Sequence, residues 1–289
     1  MPTMKHRIQR IAMRVLMLVF LSLLGGLLTA TLVRFAPGYG VDERELDSRL
    51  SQASVESIRK ANQARSGILS YYAHFLARAG HGDLGNSQWL DRPIASLIQE
   101  RFPVTLRSVL FGTLLAWLVA LAASVAAASF QSFALEISGT LLSGALIALP
   151  TAVVAMFAVY LGAPVCVAIA VVLFPKLFRY LRNLLAHANA QPYVLAAEAR
   201  GIRRTRILSH HLFPFLSPAL FALLGVSLSM AFGAAIPMEA LCDSPGIGQL
   251  AWQAALNRDL PLIITLTFLV TLVTVGANLL STPGDRRAI

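Results

Sequence analysis

The side chains best suited to chemistry crowd into one stretch, Ala196–Pro214, AAEARGIRRTRILSHHLFP. It holds Arg200, Arg203, Arg204 and Arg206, one acid, Glu198, and the adjacent His210 and His211. Metal-assisted hydrolysis would need two histidines and a glutamate as HExxH, and acyl transfer a serine at a GxSxG elbow. Neither pattern occurs, and His187 stands apart. A GxxxxGK[ST] phosphate loop is also missing, so no nucleotide site is expected in this chain. What the stretch offers is shape and charge. Gln191 and Pro192 suit a helix start, and Tyr193 to Arg200 is rich in good helix formers. Gly201 then fits a left-handed cap, with Arg200 near the negative end of the helix dipole. Arg206 to Leu212 opens a second short helix before Pro214 and Pro218. Ala196, Ala197 and Ala199 are small enough for close approach of another protein surface. The expectation is a docking knob, small on one side and basic on the other.

The elements that must carry this knob are set by composition. Hydrophobic residues make up 56% of the 289 and charged residues 13%, which is the balance of an all-α polytopic membrane protein. A helix needs roughly 20 apolar residues to cross the hydrocarbon core. Six windows qualify: 11–33, 104–128, 136–160, 163–181, 213–236 and 260–281. The first follows Lys5, Arg7 and Arg10 but is too long for a cleaved leader, and Leu28–Arg34 offers no small-residue cleavage site, so it reads as a retained anchor.

Basic residues in short flanking segments are retained on the cytoplasmic side. By that rule the N-terminus is inside, as are Arg286 and Arg287 at the C-terminus. The segment from Lys176 to Arg206, with seven basic residues against Glu198, is inside too. Residues 34–102 and 239–259 then lie outside, the latter with Glu239, Asp243 and Asp259 against Arg258. Topology and anionic headgroups account for the net charge of +10 without a nucleic-acid partner. The chain divides into residues 1–33, an outer segment 34–102, and a core 103–289 containing the loop 182–212.

Within the outer segment, APGYGVDERELDSRL is rich in turns, and residues 54–78 read as an amphipathic surface helix through Tyr72, Phe75 and Leu76. GHGDLGNS marks tight turns. RPIASLIQERFPVTLRSVL suggests a short surface helix, then an elbow with Pro103 in the first turn of the second span. Gly162 and Pro164 separate spans three and four. Pro245–Gly248 suggests a re-entrant or surface hairpin between spans five and six. Cys166 and Cys242 allow one bridge, but no spacing suggests a metal site. A secondary transporter, the main alternative, would need an ionisable residue within the bilayer, and only Arg107 and Glu136 stand near predicted span ends. A membrane sensor or assembly protein is a further alternative.

The order of these motifs resembles the permease subunits of bacterial binding-protein-dependent ABC importers, and most closely their dipeptide, oligopeptide and nickel branch. Tyr193, Val194, Ala197, Ala199 and Gly201, then Arg206, His211 and Pro214, match that branch's YVxxAxAxG and RxxxxHxxP patterns. Gly82, Asp83, Leu84 and Gly85 match its GDLGxS, and Pro245, Gly246 and Gly248 stand in its PGLG segment. The resemblance implies a type I importer fold in the bacterial inner membrane, no cofactor, and no chemistry by the permease itself. It implies a second permease, two ATP-hydrolysing subunits and an extracytoplasmic solute-binding protein as partners. Ala196 to Arg206 would be the coupling element. In it the alanines pack in an ATPase groove, Gly201 makes the turn, and Arg203, Arg204 and Arg206 anchor polar contacts beside Glu198.

Overall fold

Each apolar window folds as helix because, without water, a backbone in hydrocarbon has to satisfy its own polar groups. The computed structural model describes residues 4–35, 68–130, 133–207 and 213–281. Among these the helices are α1 (Met4–Phe35), α2 (Ile68–Gly80), α3 (Ile94–Phe130), α4 (Phe133–Ala148), α5 (Thr151–Tyr160), α6 (Val165–Asn189), α7 (Pro192–Ala199), α8 (Arg204–Ile207), α9 (Phe213–Leu241), α10 (Ile247–Leu256) and α11 (Leu260–Ser281). The β structure among the described residues is one isolated bridge, Asn86 to Pro93. The turn-rich entry, the first part of the helix expected over 54–78, His210, His211 and the C-terminal arginines lie outside the described residues.

Among the described residues three helices are long and apolar enough to cross a membrane, Ile94–Ala127, Phe213–Leu241 and Leu260–Leu279. A fourth crossing exists if the pair α4 and α5 counts as one span. The window 136–160, expected as a single span, is in fact bent by 97°. Pro150 is the cause: it has no N–H to continue the ladder and its ring disfavours helical backbone at Leu149. Gly162, at φ 63°, and Pro164 make the second break where the sequence placed it. The elbow expected at Pro103 is absent, because α3 runs through it without interruption. The bond lost there would have gone to the carbonyl of Gln99, an exposed residue that can find another donor, and Ile94, Leu97, Thr105 and Val109 on either side are buried. Two further windows, on α1 and α6, are helical but not apolar throughout. The window on α1 contains Arg14, and α6 carries Lys176, Arg179 and Arg182 and extends to Asn189, past the expected end of its span.

The chain forms two compact units. One comprises residues 101–249 and 273–289, and α6 is its centre. Ala168, Ile169, Leu173, Leu177, Phe178 and Leu181 of α6 are buried with Val109, Ala116 and Ala120 of α3, Val154, Ala155 and Ala158 of α5, and Ala231, Phe232, Ala235 and Met238 of α9. So many alanines fit helices that must pack by shape, since lipid tails supply no hydrophobic drive between them. At Gly112 a β-carbon would stand 2.8 Å from the Cys166 carbonyl oxygen and 2.9 Å from Ile169, so α3 and α6 meet backbone to backbone there. The indole N–H of Trp117 donates to Ser227 Oγ at 2.9 Å and ties α3 to α9. Cys166 and Cys242 are half-buried and unbridged.

The other unit holds residues 1–100 and 250–272. In it α2 is no free surface helix. The Tyr72 hydroxyl donates to the Leu23 carbonyl of α1 at 2.7 Å, over Gly26, where a β-carbon would meet that hydroxyl at 2.6 Å. Tyr72 also packs with Leu260 and Ile264 of α11, and with Leu27, Phe75 and Leu76.

The Gly112 contact gives a direct test. Gly112→Val should destabilise the 101–249 unit by about 1–3 kcal/mol, through forced separation of α3 and α6. Gly144→Ala, where a β-carbon meets nothing within 4 Å, should leave the thermal midpoint of the purified protein unchanged or raise it.

Candidate functional site

The stretch rich in arginine folds as expected into helix, turn, helix. Pro192 opens α7, and the Val194 amide donates to the Gln191 carbonyl at 3.0 Å. Gly201, at φ 72°, ends it, and the Ile202 amide donates back to the Ala197 carbonyl at 3.2 Å, a Schellman closure. The short α8 starts at Arg204, with the Arg206 and Ile207 amides both donating to the Arg203 carbonyl, at 2.8 and 3.1 Å. This helix begins earlier than the Arg206 expected, and the rest of the expected stretch, 208–212, lies outside the described residues. Pro214 sits in the first turn of α9, and Pro218 lies inside it rather than before it.

The two faces of this projection differ. Val194, Ala197 and Ile207 are buried with Leu185 and Ala188 of α6 and Leu216 of α9, and Ile202 packs beside them. Tyr193, Ala196, Ala199, Arg200, Gly201, Arg203 and Arg206 are exposed. Tyr193 stands edge-on to Phe215 of α9, ring centres 6.1 Å apart. Ala197 therefore corrects the sequence reading. It faces its own chain's core, 5% exposed, and is unavailable to a partner. Its small size is used inward, to bring α7 against α6, while Ala196 and Ala199 keep the outward role. Glu198 lies on α7.

At the other end of α9, about 43 Å away by helix rise, lies the second cluster. Glu239, expected in a polar loop, is in the last helical turns and fully buried. Its Oε2 accepts from the Gly248 amide at 2.7 Å and from the Thr105 hydroxyl at 3.0 Å, and Thr105 Oγ1 accepts from the Ile247 amide at 2.7 Å. Together they cap the first turn of α10, whose opening N–H groups would otherwise be orphaned. Gly246 and Gly248 are glycines for this reason. A β-carbon on Gly246 would overlap the Glu239 carboxylate, and one on Gly248 would come within 2.6 Å of Ile236 Cα. Pro245 is exposed at the bend. Arg101 donates to Gln249 Oε1 at 2.9 Å, and Gln249 Nε2 donates to Asp243, closing the rim of the cluster. The sequence singled out the glycines but not Glu239 or Thr105, whose partnership spans 134 residues.

The third cluster belongs to the other unit. α2 ends in a Schellman turn: Gly82 at φ 83°, with the Asp83 amide donating to the Arg78 carbonyl at 3.1 Å and that of Gly82 to the Ala79 carbonyl at 3.0 Å. The Asp83 carboxylate accepts from the Gly85 amide at 2.9 Å and pairs with the Arg78 guanidinium at 2.8 Å. The Gly85 amide first, and Arg78 second, hold its carboxyl below the ordinary value. Leu84 is half-buried, and Gly85, at φ 77°, leads to Ser87. Ser87 is buried, and its hydroxyl donates to Asp259 Oδ2, which also accepts from the Trp89 amide at 3.1 Å. The other Asp259 oxygen accepts from the Leu262 amide at 3.2 Å, an N-cap of α11. The GDLGNS turn thus meets Asp259, one of the acids of the 239–259 segment. Its position just before Leu260-Pro261 was the one available signal.

Among the described residues no three His, Cys, Asp or Glu side chains gather to hold a metal. The carboxylates of the second and third clusters are engaged in capping helix starts and closing turns. Among relatives of known name, the chain is 28% identical to the oligopeptide transport system permease protein OppB of Escherichia coli (strain K12), covering 83% of this chain and 84% of that protein. It is 29% identical, over the same shares, to the OppB of Salmonella typhimurium. The family described as binding-protein-dependent transport system inner membrane component matches residues 112–282, which include α4–α11 and the second half of α3. The chain belongs to that family, the inner-membrane permease subunits of ABC importers.

Proposed function

We propose that this permease pairs with a second permease and two ATP-hydrolysing subunits to import peptide-like solutes delivered by an extracytoplasmic binding protein. The peptide class rests on the names of the relatives, both oligopeptide permeases. In this reading the chain does no chemistry: ATP is hydrolysed by the partner subunits, and residues 103–289 form the core of the pathway. The termini and the 182–212 segment are cytoplasmic, and residues 34–102 and 239–259 lie outside, following the distribution of Lys and Arg.

The observation that carries the coupling role is the double attachment of the projection. Val194, Ala197 and Ile207 pack at once on α6 and α9, so a load applied to the exposed face reaches two helices together. That face, Tyr193, Ala196, Ala199, Arg200 and Arg203, is where an ATPase subunit would seat. Glu198, Arg204, Arg206, His211 and Pro214 complete the family pattern around it. Gly82–Gly85 and Pro245–Gly248 belong to the segments read as lying outside, where a binding protein would deliver solute.

Gly201→Val should lose ATPase association, because a β-branched residue at φ 72° is strained by about 1–3 kcal/mol. Gly201→Asn, which tolerates that backbone, should retain most of it. Ala196→Arg should also abolish co-purification of the ATPase, with an unchanged thermal midpoint, since the site is open. Ala197→Arg should lower the midpoint as well, because it forces a charge into the contact with α6 and α9. Equal co-purification in wild type, Gly201→Val and Ala196→Arg would end the coupling assignment.

Sidedness is checked by labelling. In a Cys166→Ala, Cys242→Ala background, Gln88→Cys should react with an impermeant thiol reagent added outside intact cells. Arg203→Cys should react only after the membrane is opened. Labelling of both from the same side would refute the topology.

A further inference from the structure

α4 is 16 residues long, about 24 Å, against a hydrocarbon core of roughly 30 Å. Its end and the 97° turn fall near the middle of the window 136–160 read as a span. Past its last turn the Leu149 amide donates to the Leu146 carbonyl at 3.3 Å. Beyond the bend, α5 begins at Thr151 after Pro150, with no side-chain cap, and the Val153 and Val154 amides donate to the Pro150 carbonyl. The carbonyls of Ile147, Ala148 and Leu149 stand where a helix end leaves its ordinary orphans. Ile147, Ala148, Leu149 and Pro150 are all exposed, and a β-carbon on Gly144, one turn earlier, meets nothing within 4 Å.

Open carbonyls at that depth cannot face lipid, where each unsatisfied group costs several kcal/mol. Non-helical backbone is tolerated there only against protein or a water-filled cavity. Beyond the bend α5 is anchored by Val154, Ala155 and Ala158 in the α6 and α9 core, while the bend itself stays uncovered. We propose that the α4–α5 bend lines the aqueous translocation path and offers the carbonyls of Ile147–Leu149 as acceptors to the N–H groups of a passing solute. The proposal rests on the importer reading above. Backbone acceptors suit a carrier of varied peptides. They bind amide and ammonium donors, which all such solutes share, and ignore side chains, which differ.

The test uses the assembled transporter in its own membranes, in a Cys166→Ala, Cys242→Ala background carrying Leu149→Cys. A small quaternary-ammonium thiosulfonate should modify this cysteine, and the rate should change severalfold between the nucleotide-free and the vanadate-trapped transporter. Adding Pro150→Ala, which restores an N–H able to bond the Leu146 carbonyl, should slow the modification severalfold. Reaction with a lipid-soluble maleimide but not with the charged reagent would place the bend in lipid and overturn the proposal. A charged-reagent rate equal in both states would make it plain outer surface and overturn it too. ATPase co-purification from the same membranes separates the failures: a constant rate with the ATPase bound refutes the path assignment alone, whereas absence of the ATPase refutes the importer reading on which it rests.

Discussion

The structure depends throughout on one constraint: in a membrane domain each backbone N–H and C=O has to find a partner in protein or in water that protein encloses. Along the helices the ladder meets it automatically. At their ends it is met one group at a time, and the polar residues that look functional in the sequence are mostly those doing this. Glu239 and Thr105 take the first amides of α10, Asp259 takes one at the start of α11, and the turns at Gly82 and Gly201 fold the chain back on its own last carbonyls. Each cap is worth about 1 kcal/mol in water. In a site closed to solvent, loss of the partner leaves the whole desolvation cost uncompensated.

α9 joins the two ends of the 101–249 unit. Its first turns carry Phe215 and Leu216 against the projection, and its last turns carry Glu239, the cap of α10. Between them Ala231, Phe232, Ala235 and Met238 pack against the core around α6.

How much of this was legible in the sequence follows from range. Helix identity, the left-handed turn at Gly201 and the break at Gly162-Pro164 are local, and residue type decided them. The inward orientation of Ala197 was not legible, because an eight-residue helix in which alanines stand on both faces has no apolar stripe to orient it. Pro103 and Pro150 show the same limit. Both lack the N–H, yet α3 passes through the first and the chain turns at the second, and the difference lies in which neighbours are packed. The partnerships of Thr105 with Glu239 and of Ser87 with Asp259 cross 134 and 172 residues and leave no local trace beyond the acid preceding Leu260-Pro261.

Asp259 also sets an order of events during synthesis. The turn through Ser87 and Trp89 leaves the ribosome early, but the carboxylate that completes it is made 172 residues later, at the threshold of the last long helix. Until α11 is in place the Ser87 hydroxyl and the Trp89 amide lack that acceptor, and the turn rests on its local bonds, Ser87 amide to Arg92 carbonyl and Ile94 amide to Gly85 carbonyl. The early turn and the start of the last long helix thus complete each other's polar groups across the length of the chain.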